Sequence, residues 1–388
     1  MFASRTGWNL SRNRFTEALE AHQQTGRELL DLTASNPTRV GLQPDSAALL
    51  AALGDPESLR YDPQARGLLP ARQAVAEYYA HSNSKVNPDQ IILTTSTSEA
   101  YSFVFRLLCN PQDEVLVPRP SYPLFEFLAD IQDVRLVPYE LIYDHGWQID
   151  FHGLRAAINS ATRAVILVNP NNPTGSYVKQ SEREELNRLC HDHEVALISD
   201  EVFFDFNLVG EHFESFATND AALTFTLSGL SKIAGLPQMK VAWMVTTGPE
   251  ELERTALDRL EVIADTYLSM NAPMQHAIPK LLRFGTGFQQ QLMPRLRANL
   301  LNLDAQLEEQ RSCSRLKVEG GWYATMRVPV TRTDEELAIE LLQRSDVLVH
   351  PGHFFDFHGD GYLILSLMTP EPVFREGVKR VLDYISSI

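Results

Sequence analysis

Residues 164–175 read Ala-Val-Ile-Leu-Val-Asn-Pro-Asn-Asn-Pro-Thr-Gly, an apolar run that ends in a cluster of turn-forming residues. Residues 164–168 are apolar at every position, which is typical of a strand buried on both faces of a parallel sheet. Asn, Pro and Gly are common in tight turns, but seven residues of this kind are more than a chain reversal requires. The stretch predicts a buried strand whose carboxyl end carries a specialised loop.

Similar apolar runs occur on both sides of this strand, at 91–95, 114–117, 195–199 and 223–227. Stretches with helical periodicity separate them, and such helices supply the right-handed crossovers between parallel strands. The predicted fold class is therefore α/β, with a mostly parallel central sheet and flanking helices.

The pattern changes after about residue 285. Gln289 to Gln310 has the periodicity of one long amphipathic helix, and short strands and helices follow it. This pattern predicts a large sheet domain over 41–285 and a smaller α+β domain over 286–388. The N-terminal segment 1–40 is expected to join the small domain, with a hinge near 280–290.

The composition excludes several classes of function. The chain has 388 residues, with 50 acidic against 34 basic residues and a formal net charge of −16. A nucleic acid or an anionic membrane requires a concentrated basic face, so neither is expected as a partner. The three cysteines are widely spaced without metal-ligand spacing, so no metal site is expected. With no leader sequence and no membrane span, the expected location is the cytoplasm.

Polar residues follow three of the predicted strands, and each set allows two interpretations. Ser96-Thr97-Ser98-Glu99 is either a phosphate-binding helix start or an ordinary capping box. Asp200-Glu201 places carboxylates at a buried strand end, where a cationic partner is expected. Lys232, in Ser228-Gly-Leu-Ser-Lys232, is either a surface residue or an amine that forms a Schiff base.

Four segments follow predicted strands along the chain: 96–99, 169–175, 200–201 and 228–232. Their sequences and their order resemble those of the class I/II aminotransferase family, the fold-type I enzymes that use pyridoxal 5'-phosphate (PLP). The resemblance extends over almost the whole chain. It implies a ping-pong transfer of an amino group from a small-molecule amino donor to a keto acceptor. It also implies a homodimer with shared active sites, and makes 41–285 the PLP-binding domain.

The resemblance implies a role for each matching residue. Lys232 would form the Schiff base and shuttle a proton, Asp200 would keep the pyridine nitrogen protonated, and Asn172 would hydrogen-bond the phenolic oxygen. Tyr122 would stack on the ring. The implied phosphate contacts are Ser96, Thr97, Ser228 or Ser231, Lys240, and Tyr61 reaching across to the other subunit.

Two residues depart from the family pattern around the cofactor. Phe203 stands where the family often has a tyrosine that donates a hydrogen bond to the phenolic oxygen of PLP. Loss of this donor should raise the pKa of the Schiff base. Lys240 stands where the family has a phosphate-binding arginine, so the charge is kept and the bidentate geometry is lost.

A third departure concerns the substrate. Ile364 stands about where the family has the arginine that binds the substrate carboxylate. Either another arginine substitutes, the substrate is not an ordinary α-amino acid, or the alignment of this segment is shifted. Asn36 and Arg39 are the predicted substrate-binding residues, and Arg327 is a further candidate, although exposed arginines are commonly structural.

Five aromatic residues could form either an apolar substrate pocket or plain core: Phe203, Trp322, Tyr323, Phe354 and Phe355. The alternatives to transamination are a PLP-dependent lyase, decarboxylase or condensing enzyme on the same fold. A non-catalytic PLP-binding module is the alternative from another class, because fold alone does not determine function.

Overall fold

A computed structural model describes residues 1–123 and 125–388 of the chain. The strands are β1 (Leu30–Asp31), β2 (Ile91–Thr94), β3 (Glu114–Arg119), β4 (Arg135–Tyr143), β5 (Trp147–Ile149), β6 (Thr162–Val168), β7 (Ala196–Asp200), β8 (Thr224–Gly229), β9 (Ala242–Thr247), β10 (Ser314–Arg315), β11 (Tyr323–Arg327), β12 (Val347–Leu348), β13 (His350–Pro351) and β14 (Tyr362–Ser366). The helices are α1 (Arg14–Gln24), α2 (Ser46–Ala52), α3 (Leu69–Ala80), α4 (Thr97–Leu108), α5 (Phe125–Asp130), α6 (Phe151–Ala157), α7 (Gln180–His193), α8 (Leu230–Ile233), α9 (Glu250–Tyr267), α10 (Ala272–Glu308), α11 (Asp334–Ser345) and α12 (Glu371–Ser386).

The central sheet contains eight strands in the order β2-β9-β8-β7-β6-β3-β4-β5. The pairs β8–β7, β7–β6, β6–β3 and β3–β4 are parallel, whereas β9 is antiparallel to both of its neighbours. Because β2 and β8 are both antiparallel to β9, they run in the same direction as each other. The carboxyl ends of β2, β8, β7 and β6 therefore lie at one edge of the sheet.

Side chains on both faces of this sheet are buried, as the continuous apolar runs predict. All six residues of β8 and of β9 are buried, and α4 and α9 pack together on one face. Burying both faces under helices is how a parallel sheet is stabilised. The α/β fold class is confirmed.

A second, four-stranded antiparallel sheet has the order β10-β11-β14-β13. It shares one apolar cluster with α1, α11 and α12. The short strand β1 pairs in parallel with β12, so the N-terminal segment packs with the C-terminal elements. The division of the chain at residues 40 and 285 stays a prediction.

Helix α10 begins earlier than the sequence pattern indicates. It covers 37 residues, from Ala272 rather than Gln289, and the Asn271 side chain accepts a hydrogen bond from the Met274 amide at its start. Pro279 lies inside it, and an internal proline argues against a helix when only the sequence is considered. The predicted boundary at 285 falls within this continuous helix. Neither α10 nor any other helix in the described part of the chain is long and apolar enough to cross a membrane.

Candidate active site

Most of the predicted site residues lie at the edge where the parallel strands end. Ser96 follows β2, Asn172 follows β6, and Asp200 and Ser228 are at the ends of β7 and β8. The backbone register supports this placement, because Ala242 at the start of β9 pairs with the last residues of both β2 and β8. Ligands bind at this edge in open α/β sheets.

Lys232 lies in the four-residue helix α8, directly after β8. Its Nζ is 5.6 Å from the ring centroid of Phe203 and 5.2 Å from that of Trp322. Burial lowers the pKa of Lys232, and the nearby charge of Asp200 raises it in part. Burial beside these aromatic rings therefore favours a neutral, nucleophilic lysine, and the carboxylate of Asp200 opposes this in part.

Asp200 accepts two hydrogen bonds from described groups. The Tyr101 hydroxyl donates to Oδ2 at 3.2 Å, and the Val202 amide donates to Oδ1 at 3.2 Å. Burial raises the pKa of Asp200 from 3.8 to about 6, against the lowering effect of both donors and of Lys232. Tyr101 was not predicted from the sequence, because a tyrosine on the buried face of an amphipathic helix looks like an ordinary core residue.

The neighbouring Glu201 does not have the cationic partner that was expected for a buried carboxylate. Among the described residues, its donors are neutral: the Ser215 hydroxyl, the Ser199 hydroxyl at 3.1 Å, the Phe216 amide at 2.8 Å and the Asn169 side chain at 3.4 Å. Burial raises its pKa to about 7. Several neutral donors can thus satisfy one buried carboxylate, and only Asp200 of the pair lies beside a lysine.

The loop at 169–175 is buried and internally bonded. Asn171 Nδ2 donates to the Pro120 carbonyl at 3.1 Å and to Thr174 Oγ1 at 2.9 Å. Gly175 has φ +70°, and a Cβ there would lie 2.6 Å from the Gly320 carbonyl oxygen. These contacts fix the loop and hold the adjacent Asn172 in place.

Asn172 Oδ1 and Ser228 Oγ are among the buried polar atoms near the strand ends that have no hydrogen-bond partner in the described part of the chain, as are Asn171 Oδ1 and Ser121 Oγ. All four side chains are under 9% exposed. An unpaired buried polar atom is costly, so such atoms in a native structure call for an explanation. Their position at the strand ends fits groups that hydrogen-bond a ligand.

The other predicted phosphate contacts differ in how far the structure supports them. Ser96 Oγ accepts from the Glu99 amide at 3.2 Å, so it caps α4, and Thr97 is the first helical residue. Ser231 is partly buried in α8. Lys240 is exposed, has a left-handed backbone with φ 52°, and precedes β9 at the same edge.

The two predicted tyrosines have different surroundings. Tyr122 is 45% exposed, and partial burial, with a smaller contribution from the charge of Asp200, raises the pKa of its hydroxyl. Tyr61 is 83% exposed and borders a separate cavity of about 180 Å³ with Leu268 and Met270. Within one chain the structure does not bring Tyr61 into contact with Lys232.

At the predicted substrate end of the site, Ile364 is an apolar residue with polar residues beside it in both neighbouring strands. Ile364 is fully buried, between Thr325 and His350 in the neighbouring strands. Arg39 and Arg327 are both exposed, and the Arg327 guanidinium lies 5.9 Å from the Tyr362 ring centroid. Neither arginine has a hydrogen bond or ion pair from its side chain to the described residues.

Asn36 and the five aromatic residues complete the placement of the predicted groups. Asn36 is exposed, and its side chain accepts from the Thr38 amide at 3.0 Å, as in a local turn. Phe203 and Trp322 contact both the Lys232 amine and the C-terminal core, so pocket and core are not exclusive alternatives. The others lie farther along: Tyr323 packs on Phe203, Phe355 joins the cluster around Ile364, and Phe354 packs on Phe15.

Comparisons with known proteins agree with this arrangement. The family model for class I and II aminotransferases matches residues 27–380. The glutamate-pyruvate aminotransferase AlaA of Haemophilus influenzae is 26% identical over 386 residues, covering 95% of this chain and 93% of that protein. An alanine aminotransferase of Mycobacterium tuberculosis is 26% identical over 373 residues, covering 93% and 86%.

In structure, an alanine aminotransferase from Pyrococcus furiosus superposes with a TM-score of 0.89 at 24% identity, covering 100% of both chains. At that identity the likeness establishes the fold. One relative is a lyase: the S-alkyl-thiohydroximate lyase SUR1 of Arabidopsis thaliana is 30% identical over 227 residues, but the match covers only 57% of this chain and 49% of that protein. The two aminotransferases match over most of both chains, so the non-transaminase alternatives are not favoured. The chain belongs to the class I and II aminotransferases, as its motifs predicted, and is an enzyme that transfers amino groups.

Proposed function

We propose that this enzyme binds PLP at the strand-end site and transfers the amino group of a small-molecule donor to a keto acceptor through it. The observation that carries the proposal is the largely buried Lys232 amine beside the carboxylate of Asp200. The unpartnered Asn172 Oδ1 and Ser228 Oγ fit a ligand that brings several hydrogen-bonding groups to this edge. When bound, PLP supplies an electron sink that stabilises charge at the substrate α-carbon.

The residues around the cofactor would share its binding and the proton movements. Lys232 Nζ would bind the cofactor covalently and later carry the proton to and from the substrate carbon. Asp200 would hold a proton on the pyridine nitrogen, and Tyr101 would keep that carboxylate oriented. Tyr122 would stack on the ring, and Asn172 would hydrogen-bond its oxygen.

The phosphate of PLP would lie at the start of α4. Free backbone amides and the helix dipole favour an anion at such a position. Ser96, Thr97 and Ser228 or Ser231 are the proposed hydrogen-bonding groups, and Lys240 would supply the positive charge.

At the substrate end, the position of Ile364 would not provide bidentate ionic recognition. Ile364 is fully buried and adjoins aromatic side chains, so no guanidinium occupies that position. Asn36 and Arg39 stay proposed substrate-binding residues. Glutamate and alanine are the first donors to test, because the names of the relatives include them.

The proposed assembly is a homodimer in the cytoplasm. Several apolar side chains near the cavity beside Tyr61 are exposed, including Leu59, Tyr267 and Leu268. Clustered exposed apolar groups favour a covered surface, and Tyr61 would then reach the phosphate site of the partner. The three cysteines are free, which suits a reducing compartment.

Absorption spectroscopy of the purified protein with PLP tests the proposal. We expect a visible band that Lys232→Ala removes and that Lys280→Ala, a change at an exposed lysine, leaves intact. Alanine, glutamate and amines without a carboxylate are then added separately, and the expected result is conversion to the pyridoxamine spectrum. A band that no donor converts, or no lysine-dependent band, would contradict the proposal.

Conversion by amino acids would mean that another group replaces the carboxylate-binding arginine. Conversion only by amines without a carboxylate would mean that Ile364 marks a changed substrate class.

A further inference from the structure

The short helix that carries Lys232 ends in a carbonyl group, that of Ile233, which the amide four residues on cannot satisfy. At its start, the Leu230 amide donates to the Val241 carbonyl at 3.0 Å, which ties the helix to β9. At its end, the Ile233 carbonyl would need an amide at position 237, four residues on. That residue is Pro237, which has no N–H. The turn that follows Lys232 therefore depends on a donor from elsewhere in the chain.

Helix α10 supplies this donor. Gln289 Nε2 donates to the Ile233 carbonyl at 3.0 Å and to Asp205 Oδ2 at 2.7 Å. One turn earlier on the same face of α10 is Gly285, where a Cβ would lie 3.2 Å from that carbonyl oxygen. The glycine lets the helix come close enough for the glutamine to reach.

Asp205 in turn holds the glutamine amide. Its other oxygen, Oδ1, accepts a hydrogen bond from the Tyr78 hydroxyl at 2.8 Å. Burial raises the pKa of Asp205, and the bonds from Tyr78 and Gln289 lower it. The network thus joins α3, the segment after β7 and α10 to the residue next to Lys232.

We propose that Gln289 is a positioning residue for Lys232, and that Asp205 and Tyr78 hold the glutamine amide in the required orientation. The proposal rests on the function proposed for Lys232 above. By fixing the Ile233 carbonyl, the glutamine fixes the end of the helix from which the lysine amine reaches the cofactor. Positioning of the lysine amine affects each step that the amine performs, beginning with the rate and equilibrium of cofactor capture.

The surroundings of the network allow its removal without loss of the fold. Tyr78, Asp205 and Gln289 border an open cavity of about 630 Å³. Water can therefore reach the Ile233 carbonyl when the glutamine is shortened or made apolar. A water molecule can donate a hydrogen bond to this carbonyl, but it does not fix the orientation of the carbonyl as the glutamine side chain does.

The test compares Gln289→Met, which keeps length and removes the donors, with Gln291→Met. Gln291 is on the same helix and bonds to the Gln43 backbone far from the lysine turn. Hydrogen exchange of residues 230–236 is measured in the protein without PLP. The rate of PLP capture and the pH midpoint of the visible band are measured in the reconstituted enzyme.

For Gln289→Met we expect exchange to accelerate, and capture to slow, by about three- to tenfold, the factor that loss of one neutral hydrogen bond gives. The band midpoint should also move, whereas Gln291→Met should change none of the three. Unchanged capture and midpoint in Gln289→Met would overturn the proposal, whatever happens to exchange. If that variant does not fold, Asp205→Asn, which leaves a single acceptor for two donors, decides by the same criteria.

The parent enzyme separates the two possible failures. If the parent forms no Lys232-dependent band, the proposed function fails and the positioning role fails with it. If the parent forms the band and the Gln289 variant matches it, only the positioning role is wrong.

Discussion

Replacing Tyr101 by Phe removes one hydroxyl from the side of Asp200 and leaves the ring in place. The hydroxyl donates at 3.2 Å to a carboxylate whose pKa burial has already raised to about 6. At that length the bond is at the weak end for a charged acceptor, so we take its contribution as about 1 kcal/mol. The variant should therefore raise the pKa of Asp200 further, because the ionised form loses a donor.

The effect on stability has a definite sign. Asp200 has a higher pKa in the folded than in the unfolded chain, so the folded chain holds its proton more tightly. The contribution of this group to the free energy of unfolding is therefore complete below pH 3.8 and is lost as the pH rises through about 6. Tyr101→Phe should make that loss larger by about 1 kcal/mol. We also expect its affinity for PLP to fall about fivefold, since Asp200 would be less well held beneath the pyridine nitrogen.

Urea unfolding of the protein without PLP, at about pH 4.5 and pH 7.5, measures the first effect. Tyr139→Phe is the matched control, because its hydroxyl is also buried and donates to the Ile166 carbonyl at 2.8 Å. The difference between the two pH values should be larger for Tyr101→Phe than for the parent and should not change for Tyr139→Phe. Equal differences in all three proteins, or a smaller one in Tyr101→Phe, would refute the reasoning.

Three further substitutions test other parts of the site, and a fourth, Gly210→Ala, is the control for one of them. Ser228→Ala removes a buried hydroxyl without a partner, so the free energy of unfolding without PLP should stay the same or rise by up to about 1 kcal/mol. Titration with PLP should show about tenfold weaker binding. Gly175→Ala should cost about 2 kcal/mol or more in chemical denaturation, because of its φ of +70° and the Gly320 oxygen at 2.6 Å. Gly210→Ala, with φ +76° and open space around it, should cost only about 1 kcal/mol. Phe203→Tyr should lower the pH midpoint of the visible band, since a hydroxyl donor stabilises the unprotonated form; a higher midpoint would contradict the pKa argument.

The strand-end residues were predictable because each lies in a local pattern. Asp200 directly follows an apolar run, Lys232 lies five residues after the end of another, and the loop at 169–175 follows a third. A run that is apolar on both faces fixes where a buried strand ends, and the fold class determines that these ends meet. The sequence thus predicted that these residues lie at one edge of the sheet, whereas their roles rest on the family resemblance and stay predictions.

The supporting residues could not be predicted in the same way, because their partners are distant in sequence. Tyr101 bonds Asp200 across 99 positions, and Gln289 bonds Asp205 across 84. No periodicity marks such pairs, and a tyrosine or glutamine on a helix is equally compatible with core or surface. The start of α10 was missed for a local reason, since Gly285 and Gly287 weaken the helical signal just before Gln289.

The continuous helix α10 bears on whether the protein is modular. At 1.5 Å per residue its 37 residues extend about 55 Å. Ala277, Ile278 and Leu281 belong to one apolar cluster, whereas Leu292 and Leu296 belong to another. A fragment that ends at residue 285 would end inside α10 and would lose the packing of the helix residues on both sides of that position. Both clusters contain residues of the one helix α10, so they should unfold together. A chimera of two related enzymes should therefore take all of α10 from the same enzyme.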